Sequence, residues 1–490
     1  MEGDRSSPDV ADALPRHRDL YYGGEWHRAH GGQAATLDPA TGESLGECAQ
    51  ADAADVDAAA RAAHQAFPAW RGLRPVERSG VLRGIAARLR EHASELALID
   101  AANCGNPVAE MTNDVHAACT QLEYFAGLAG EAKGETIPMG DGAVNLTVRE
   151  PFGVCARIVA YNHPLMFTAA KMAAPLAAGN TVIMKPPQQA PLSAYRMMEL
   201  VGNAVPPGVL NVVTGGVECG EALVAHPLIP RIALIGSVPT GRAIARTAAD
   251  RLKHVTLELG GKNACIIFAD ADVDKAVAGA VAGMNFTWCG QSCGSTSRVF
   301  VHASIHDRVV AGILAAVERF RPGVPTDPAT TMGALVSQAH LDKVERLIAA
   351  GRADGATLAC GGVRPREPQL ARGYFMPPTV FTGVAQSMRI ANEEVFGPVL
   401  CVLKWTDEAS MLADVNAVEY GLSCSIFTRD LATAHRCAAR VDAGYVWINT
   451  TGRHFLGAPF GGYKQSGQGR EECLDELLSY TQQKNVHIAL

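Results

Sequence analysis

Hydrophobic and polar positions follow two different patterns along the chain, and the patterns meet near residue 150. Between 52 and 98 the sequence is rich in alanine, and apolar Val81, Leu82, Ile85 and Leu89 recur every three or four positions. An apolar stripe of this period faces a core when the segment is helical. The pattern therefore predicts long amphipathic helices in this part of the chain.

After Phe152 the pattern changes to short β-branched runs separated by alanine-rich helical stretches and Gly/Pro turns. The first series is VCARIVA, NTVIMK, VLNVVT and RIALIG, and the second, from about Asn263, is ACIIF, SRVFVH, PTVFTGV, VLCVLKW, SCSIFTR and GYVWIN. Strands that alternate with helices indicate parallel sheets. We expect an α/β protein with two doubly wound domains that meet near residues 258–262.

Three segments fit neither sheet. Residues 135–149 and 479–490 look extended, and each could pair with something outside the main domains. The first 18 residues mix both charges with Pro and Ser and lack the apolar core of a signal peptide, which predicts a frayed tail over 1–18. Apolar runs stay shorter than the roughly 18 residues of a membrane helix, so no membrane association is expected.

Composition narrows the function classes. The chain has 490 residues, 48% hydrophobic and 19% charged, with 43 basic and 50 acidic side chains and a net charge of −7. This composition excludes a disordered or collagen-like chain. The net negative charge argues against a protein that wraps nucleic acid, because such a protein needs a basic face. At roughly 150 residues per domain the length allows about three domains. A multidomain enzyme with a small-molecule substrate is the favoured interpretation.

The 13 cysteines are scattered and include no C-x-x-C pair. This spacing favours neither a zinc cage nor a redox dithiol, so no metal site is predicted. An odd number without a secretory signal is typical of a reducing, cytoplasmic compartment. The remaining question is whether one cysteine is a nucleophile.

Two candidate catalytic residues stand in glycine-rich surroundings. Cys293 lies in Gly290–Gly294, where small neighbours leave a sulfur accessible and let backbone amides approach a reacting group. Glu258 ends the β-like run VTLEL before Gly260 and Gly261, a suitable place for a general base. Taken singly, the cysteine could be structural and the glutamate a surface or cap residue.

Three further motifs follow predicted strands. Asn162, in a turn after VCARIVA, could donate to an oxyanion or simply precede Pro164. Residues 185–188 and 236–241 could cradle a pyrophosphate at a helix N-terminus, although neither is the usual G-x-G-x-x-G motif. The acidic and aromatic turn 392–398 could hold ribose hydroxyls or close a loop.

In this order, and together with APFGGYKQSGQGRE at 458–471, the motifs resemble the aldehyde dehydrogenase superfamily from about Tyr21 to the C-terminus. The resemblance implies a Rossmann-like cofactor domain, a catalytic domain and a small β oligomerisation arm. The implied boundaries are 1–18 for the disordered tail, 19–130 and 150–258 for the NAD-binding domain, 259–470 for the catalytic domain, and 131–149 and 471–490 for the arm. The arm implies a homodimer or a homotetramer.

The resemblance also implies a reaction, the NAD(P)-dependent oxidation of an aldehyde to a carboxylic acid. Cys293 would attack the aldehyde, and the Asn162 amide would hold the oxyanion of the thiohemiacetal. Glu258 would then activate the water that hydrolyses the thioester. Lys171 and Glu471 match positions that relay a proton from that glutamate, although both could be plain ion-pair residues.

The implied cofactor contacts are Lys185, Gln188, Gly236, Ser237, Gly241, Glu394 and Phe396. Members that prefer NAD usually carry Glu where this chain has Gln188. A neutral amide keeps the hydrogen bond to the ribose but does not repel a 2′-phosphate. NAD with some tolerance for NADP is expected.

The implied substrate residues are Tyr161, His163, Met166, Arg453, His454 and Phe460. His163 replaces a common aromatic residue, and Arg453 with His454 brings charge to a loop that many members keep apolar. One hypothesis is a polar tunnel that suits a carboxylate, hydroxyl or amide; the alternative is that Arg453 faces solvent and the histidines only pack. Betaine aldehyde, aromatic aldehydes and semialdehydes all remain open as substrates.

Competing functions are distinguished by the same residues. Relatives that pass the acyl group to phosphate or coenzyme A tend to lack the hydrolytic glutamate, so Glu258 favours hydrolysis. A non-catalytic binding protein on this fold would have no need to keep Cys293, Glu258 and Asn162 together. A cofactor-free esterase activity of the same cysteine is expected only as a side activity.

Overall fold

The computed structural model describes residues 10–490. Numbered in chain order, the α-helices are α1 (Val10–Ala13), α2 (Ala53–Gly72), α3 (Pro75–Glu91), α4 (Ala93–Cys104), α5 (Val108–Leu128), α6 (Pro164–Ala170), α7 (Ala173–Ala177), α8 (Leu192–Val201), α9 (Val217–Ala225), α10 (Val238–Ala249), α11 (Val273–Gly283), α12 (His306–Val317), α13 (Gln338–Ala353), α14 (Arg389–Asn392), α15 (Glu408–Asn416), α16 (Leu431–Ala438) and α17 (Leu474–Leu478).

The strands are β1 (Leu20–Tyr22), β2 (Glu25–His27), β3 (Gln33–Leu37), β4 (Ser44–Ala49), β5 (Thr136–Pro138), β6 (Ala143–Pro151), β7 (Val154–Ile158), β8 (Thr181–Lys185), β9 (Leu210–Val212), β10 (Arg231–Ile235), β11 (His254–Glu258), β12 (Ala264–Ile267), β13 (Arg298–His302), β14 (Thr357–Cys360), β15 (Thr379–Thr382), β16 (Val399–Trp405), β17 (Tyr420–Gly421), β18 (Ser423–Phe427), β19 (Tyr445–Ile448), β20 (Tyr463–Lys464), β21 (Gly467–Gln468) and β22 (Thr481–Ala489).

The first large sheet has the order β2-β1-β9-β8-β7-β10-β11-β21. Its central strands β9, β8, β7, β10 and β11 are parallel, and the edge strands pair antiparallel. Every residue of β8 and β10 is buried, as expected for parallel strands covered by helices on both faces. The carboxyl ends of these strands therefore meet at one edge, where loops can form a site.

The second sheet has the order β14-β15-β16-β13-β12-β18-β19 and is parallel except for β14. Its β-branched and aromatic residues form a separate core cluster with α11, α12 and α13. Two helix-covered parallel sheets confirm the predicted α/β fold class. β21 differs from the predicted domain boundaries, which placed residues 259–470 in the catalytic domain. Residues 467–468 pair with β11 at the edge of the first sheet.

The amphipathic helices predicted between 52 and 98 are α2, α3 and most of α4. Leu82, Ile85 and Leu89 are fully buried in the first core cluster, and Val81 packs against it. α2 begins at a reciprocal capping box, in which the Asp52 side chain accepts from the N–H of Asp55. The sequence period therefore placed the buried face of these helices correctly.

The two extended segments pair with each other. β22 runs antiparallel to β6 over its whole length, from Thr481 opposite Pro151 to Ala489 opposite Ala143, and β5 pairs with the other edge of β6. The resulting three-stranded sheet is only partly buried, and all of β22 after Thr481 is exposed. It leaves both outer strand edges unpaired within residues 10–490.

Two boundaries predicted from sequence differ from the structure. Residues 10–18 are not frayed: Ala13 is buried, and the backbone N–H groups of Arg16 and His17 donate to Glu199 at 2.7 Å. Residues 1–9 of the predicted tail lie outside the described part of the chain. Residues 471–480 do not join the arm, because α17 packs on the first domain with Leu477 and Tyr480 in its core.

No helix within residues 10–490 combines the length and the apolar composition of a membrane span.

Candidate active site

Three of the five predicted catalytic residues, Cys293, Glu258 and Asn162, line one cavity of about 670 Å³. Glu258 is the last residue of β11, and Asn162 lies in the loop between β7 and α6. Cys293 lies in the turn before β13 of the second sheet. The cavity therefore lies between the two sheets, at the carboxyl ends of the first, which is where parallel α/β folds usually bind ligands.

Cys293 and Glu258 line the same cavity, and their side chains interact electrostatically. Burial raises the pKa of the Cys293 thiol, and repulsion by Glu258 and Glu394 raises it further. Burial likewise raises the pKa of Glu258 well above its usual range, with a contribution from Glu471. The resting pair is therefore a protonated thiol beside a carboxyl group that holds protons more tightly than usual.

The turn that carries Cys293 is fixed by contacts with Asn263 and Gly261. The Asn263 side chain donates to the carbonyl oxygen of Cys293 at 2.7 Å and to that of Ser295 at 3.1 Å. Gly261 packs so closely that an added Cβ would lie 2.7 Å from the Cys293 oxygen, which explains a glycine there. Asn263 was not identified from sequence, because an asparagine beside a strand gives no distinctive pattern.

Lys171 and Glu471 meet in a buried ion-pair network beside the cavity. Lys171 Nζ lies 3.0 Å from Glu471 Oε2 and 3.8 Å from Glu476 Oε2, and Arg157 Nη2 lies 2.5 Å from Glu471 Oε1. Burial opposes ionisation of Glu471, but Arg157 and Lys171 outweigh it and lower its pKa to about 2. Lys171 also lowers the pKa of Glu258, so the network acts on the catalytic carboxyl electrostatically.

Arg157 and Glu476 were not predicted. Arg157 is 1% exposed within the strand VCARI, and an arginine in the middle of an apolar β-run was the available signal. Glu476 had no comparable signal, since it lies in a short helix near the C-terminus.

The predicted phosphate site is the N-terminus of α10. Ser237 is its N-cap and accepts from the N–H of Thr240, while the N–H of Gly236 donates to the Glu258 carbonyl at 3.0 Å. Gly236 and Ser237 line the cavity. Gly241 does not: an added Cβ would lie 2.7 Å from Leu259, so this glycine permits close packing of α10.

Lys185 and Gln188 line the other end of the cavity. Lys185 is 7% exposed, and its ammonium makes no hydrogen bond or ion pair within residues 10–490. Burial lowers its pKa. A buried, unpaired donor that faces a cavity is a group that a ligand hydroxyl can satisfy. The Gln188 amide donates to Gln50 at 3.4 Å and remains exposed.

Glu394 and Phe396 lie at the cavity wall close to Cys293. Glu394 Oε1 accepts from the N–H of Gly261 at 2.8 Å, and burial raises its pKa. Phe396 has a left-handed backbone with φ of 56°, which is uncommon for a bulky residue. His340 Nε2 donates to the Phe396 carbonyl at 2.7 Å and stabilises this conformation.

His340 and Lys343 of α13 also line the cavity and were missed from sequence. Burial lowers the pKa of His340 to about 4, so its ring is neutral. Its ring centroid lies 6.0 Å from that of Tyr161 and 6.1 Å from that of Phe396, forming an aromatic corner. No local pattern distinguishes this helix from others on the surface.

The predicted substrate residues divide into two groups. Tyr161 lines the cavity, whereas the other five do not. His163 Nδ1 lies 2.7 Å from Asp114 Oδ2, and its ring packs against Phe167 and Trp288. Met166 is partly buried against the first core cluster.

Residues Arg453, His454 and Phe460 lie in the loop between β19 and β20. Arg453 is exposed, and its carbonyl accepts from the Trp447 indole at 2.8 Å. His454 Nδ1 lies 3.0 Å from Glu472 Oε2 and packs on Phe460 with ring centroids 4.4 Å apart. Arg453 thus faces solvent, and each predicted histidine is paired with a carboxylate.

One cluster of potential metal ligands occurs among the described residues. Ligand atoms of His30, Asp52 and Asp55 lie within 4.8 Å of one another. The two carboxylates already serve as the capping box of α2, so helix capping accounts for this cluster.

Comparison with known proteins agrees with this geometry. The family model described as the aldehyde dehydrogenase family matches residues 26–486. Aldehyde dehydrogenase tropH of Talaromyces stipitatus is 51% identical over 99% of this chain and 95% of its own length. A betaine aldehyde dehydrogenase of Mesorhizobium japonicum is 43% identical over 92% of both chains. The NAD⁺ complex of an aldehyde dehydrogenase from Bacillus cereus has a TM-score of 0.95 at 38% identity and covers 99% of each chain. The resemblance seen in the sequence is confirmed, and the chain belongs to the aldehyde dehydrogenase family, whose members are oxidoreductases that act on aldehydes.

Proposed function

We propose that this protein oxidises a polar, non-anionic aldehyde to its carboxylic acid with NAD, through a thiohemiacetal and a thioester on Cys293. The observation that carries the proposal is the convergence of Cys293, Glu258 and Asn162 on one cavity, where the Glu258 carboxyl group interacts with the Cys293 thiol. A nucleophile, a base and an oxyanion donor in one cavity form the minimum set for acyl chemistry on a thiol.

The first half of the reaction begins with proton transfer from the Cys293 thiol to Glu258. The thiolate attacks the aldehyde carbon, and the carbonyl oxygen becomes an oxyanion beside the Asn162 amide. The raised pKa of Glu258 makes this carboxylate a stronger base than an exposed one. The difference between its pKa and that of the Cys293 thiol is therefore smaller, which favours the proton transfer. When bound, NAD supplies the hydride acceptor that converts the thiohemiacetal into a thioester.

Before the second half, Glu258 releases the thiol proton to solvent, and the ionised carboxylate then activates a water molecule that attacks the thioester. The proton moves to the carboxylate, the C–S bond breaks, and the thiol is restored as the acid leaves. Lys171 favours the ionised form of Glu258, which can accept this proton, whereas Glu471 opposes that ionisation. In the overall reaction, the aldehyde, NAD⁺ and water are converted into the carboxylic acid, NADH and a proton.

The residues present fit NAD. The N-terminus of α10, with Gly236 and Ser237, offers backbone donors and a positive dipole end to a pyrophosphate. The unpaired ammonium of Lys185 can bind ribose hydroxyls, and Glu394 can accept from the hydroxyls of the second ribose. We infer a preference for NAD with tolerance for NADP, because Gln188 is neutral. The Bacillus cereus relative was solved with NAD⁺.

The surroundings of the predicted substrate residues disfavour an acidic semialdehyde. His163 is paired with Asp114, His454 is paired with Glu472, and Arg453 is exposed. A substrate carboxylate would need a cation that is not already neutralised. A neutral polar or cationic aldehyde meets less repulsion, and one relative is named a betaine aldehyde dehydrogenase. Three aldehydes of matched size, one anionic, one neutral and one with a trimethylammonium group, distinguish these classes by kcat/KM.

The test of the reaction follows NADH formation with this panel in three proteins. Wild type should turn over at least one aldehyde, and Cys293→Ala should lose activity. Glu258→Gln should release about one equivalent of NADH per active site and then stop, because the thioester is not hydrolysed. Absence of aldehyde oxidation in wild type, or full activity of Cys293→Ala, would refute the proposal.

We also propose that the three-stranded arm joins subunits into a homodimer or homotetramer. Its outer strand edges are unpaired within the described residues, and an open edge is a template for pairing with another chain. Val486, Ile488 and Leu490 on β22 and after it are exposed apolar residues. All 13 cysteines are free, which supports the inference of a reducing cytoplasm.

A further inference from the structure

Three buried polar side chains from one helical hairpin contact the loop that carries Asn162. The hairpin consists of α4, the linker 105–107 and α5. It contributes Asp100, Asn106 and Asp114, which are 1%, 1% and 5% exposed. These three residues are called the hairpin clamp below.

Two members of the hairpin clamp hold consecutive residues of the loop. Asn106 Nδ2 donates to the backbone carbonyl of Asn162 at 2.8 Å. Asp114 Oδ2 lies 2.7 Å from Nδ1 of His163 and holds that ring in one orientation. The backbone that carries the Asn162 side chain is therefore restrained by the hairpin at two consecutive residues.

The third member caps the helix that follows. α6 begins at Pro164, and its N-cap residue His163 makes no side-chain cap hydrogen bond. Asp100 Oδ2 accepts the N–H of Leu165 at 3.0 Å, which is the second backbone position of α6. A carboxylate from another helix thus replaces the missing local cap and orients the start of α6.

The hairpin linker is itself fixed. Gly105 has φ of 87°, and an added Cβ would lie 2.9 Å from the Ala334 carbonyl oxygen. The N–H of Val108 donates to the Pro325 carbonyl at 2.8 Å. Asn106 therefore projects from a rigid turn that is attached to the second domain.

We infer that the hairpin clamp positions the Asn162 amide for oxyanion binding, and that Asn106 is a positioning residue of the reaction. The inference rests on the proposed role of Asn162. Asn106 acts through the Asn162 backbone, and its Oδ1 has no hydrogen-bond partner among the described atoms, so its Nδ2 is the group that holds the loop. Removal of the Asn106 amide leaves the Asn162 carbonyl without this hydrogen bond and allows the loop to shift.

The kinetic test is a double-mutant cycle of Asn106→Ala and Asn162→Ala. Asn106→Ala should lower kcat about tenfold, because small displacements of a catalytic group are costly. Asn162→Ala should lower kcat about 100-fold, as expected for loss of one oxyanion donor. If Asn106 acts through Asn162, the double variant should match Asn162→Ala within about twofold.

Two measurements separate positioning from general damage. Alkylation of Cys293 by iodoacetamide, followed by mass spectrometry of its peptide, forms no carbonyl oxyanion and should change by less than about twofold in Asn106→Ala. Hydrogen exchange in the 160–170 segment should rise by about fivefold or more, because the restrained loop opens more often. Asn211→Ala is the matched control: Asn211 is also buried and donates to the Val182 and Gly208 carbonyls, away from the cavity.

Unchanged exchange of the 160–170 segment in Asn106→Ala would overturn the inference, whatever the activity. The inference would also be overturned if Asn106→Ala lowered kcat by the same factor in wild type and in Asn162→Ala, because the two residues would then act independently. If wild type oxidises no aldehyde, the proposed function fails, and hydrogen exchange still decides whether the hairpin clamp restrains the loop. Loss of Cys293 alkylation together with kcat would show that the substitution damages the whole site and would also refute a positioning role.

Discussion

Lys171 Nζ lies 3.0 Å from Glu471 Oε2, and this buried ion pair sets the electrostatic surroundings of Glu258. Lys171 lowers the pKa of Glu258, whereas Glu471 raises it. The pair is fully enclosed, so its charges are weakly screened by solvent.

Replacing Lys171 by Met should raise the pKa of Glu258 further. Glu471 would then keep Arg157 as its remaining cationic partner. Because the base must be ionised to accept a proton, the acidic limb of the kcat profile should move to higher pH. Lys171→Arg keeps the charge and should restore most of the profile. Removing one partner of a buried pair costs about 3–5 kcal/mol, so the unfolding free energy is measured in parallel. A profile that stays in place in Lys171→Met would contradict the electrostatic role.

Gln188→Glu should sharpen cofactor selection. A carboxylate at this position repels a 2′-phosphate and still accepts from a ribose hydroxyl, so kcat/KM with NADP should fall by about tenfold or more while the value with NAD changes little. The measurement is kcat/KM for both cofactors at saturating aldehyde. Gln33→Glu, an exposed glutamine on β3, adds the same charge away from the cavity and should leave the ratio as it is in wild type. A rise in NADP use by Gln188→Glu would show that the residue does not face the 2′ position.

His340 predicts a pH dependence of stability without cofactor. Its pKa is about 4 in the folded protein, below the ordinary 6.5, so the unfolded chain binds this proton more readily. Stability from this group is complete above pH 6.5 and is lost as the pH falls toward 4. Between pH 7 and 5 the loss is about 2 kcal/mol. His340→Gln can keep a donor to Phe396 but does not titrate, so it should lose less stability than wild type over this interval.

The urea-unfolding free energies of wild type and His340→Gln at pH 7 and pH 5 measure this difference. His64→Gln, in which an exposed histidine of α2 is replaced, serves as control and should follow wild type at both values. Parallel losses in wild type and His340→Gln would contradict the assignment of a buried neutral imidazole.

Charging the exposed face of β22 should dissociate subunits. Val486 and Ile488 point to the same side of the strand, and their replacement by Asp places two carboxylates at the proposed contact. Light scattering should give a mass closer to the 51.6 kDa single chain than wild type does. Leu431→Asp, at the exposed N-terminus of α16, is the control and should keep the wild-type mass. Equal masses for all three would exclude the arm as the interface.

Much of the site could be predicted because its residues occupy special local positions. Cys293, Glu258 and Asn162 each follow or precede a strand in a recognisable order, and the structure places them in one cavity. Ser237 was predictable for the same reason, since an N-cap serine followed by Pro239 marks a helix start. Gly241 packs against Leu259 and does not line the cavity, a difference that sequence does not reveal, because a glycine that faces a ligand and one that faces a leucine look alike there.

The residues missed from sequence act over long separations. His340 contacts Phe396 across 56 positions, and Asn106 contacts Asn162 across 56 positions as well. Neither belongs to a periodic or turn pattern that points toward its partner. His163 and His454 were visible in the sequence, but the carboxylates that pair with them lie 49 and 18 positions away.

By itself the sequence determined the alternation of strands and helices and the helical faces that are buried. These follow from local chemistry, because periodicity and capping depend on neighbours a few residues apart. The family resemblance of its motifs added Cys293, Glu258 and Asn162 as the predicted nucleophile, base and oxyanion donor. Only the tertiary structure decided that Lys171, Glu471, Arg157 and Glu476 form one network, and that the two extended segments pair with each other. Ion pairing and antiparallel registry join groups 300 or more residues apart, and their energy depends on distance and burial in space, which no local pattern contains.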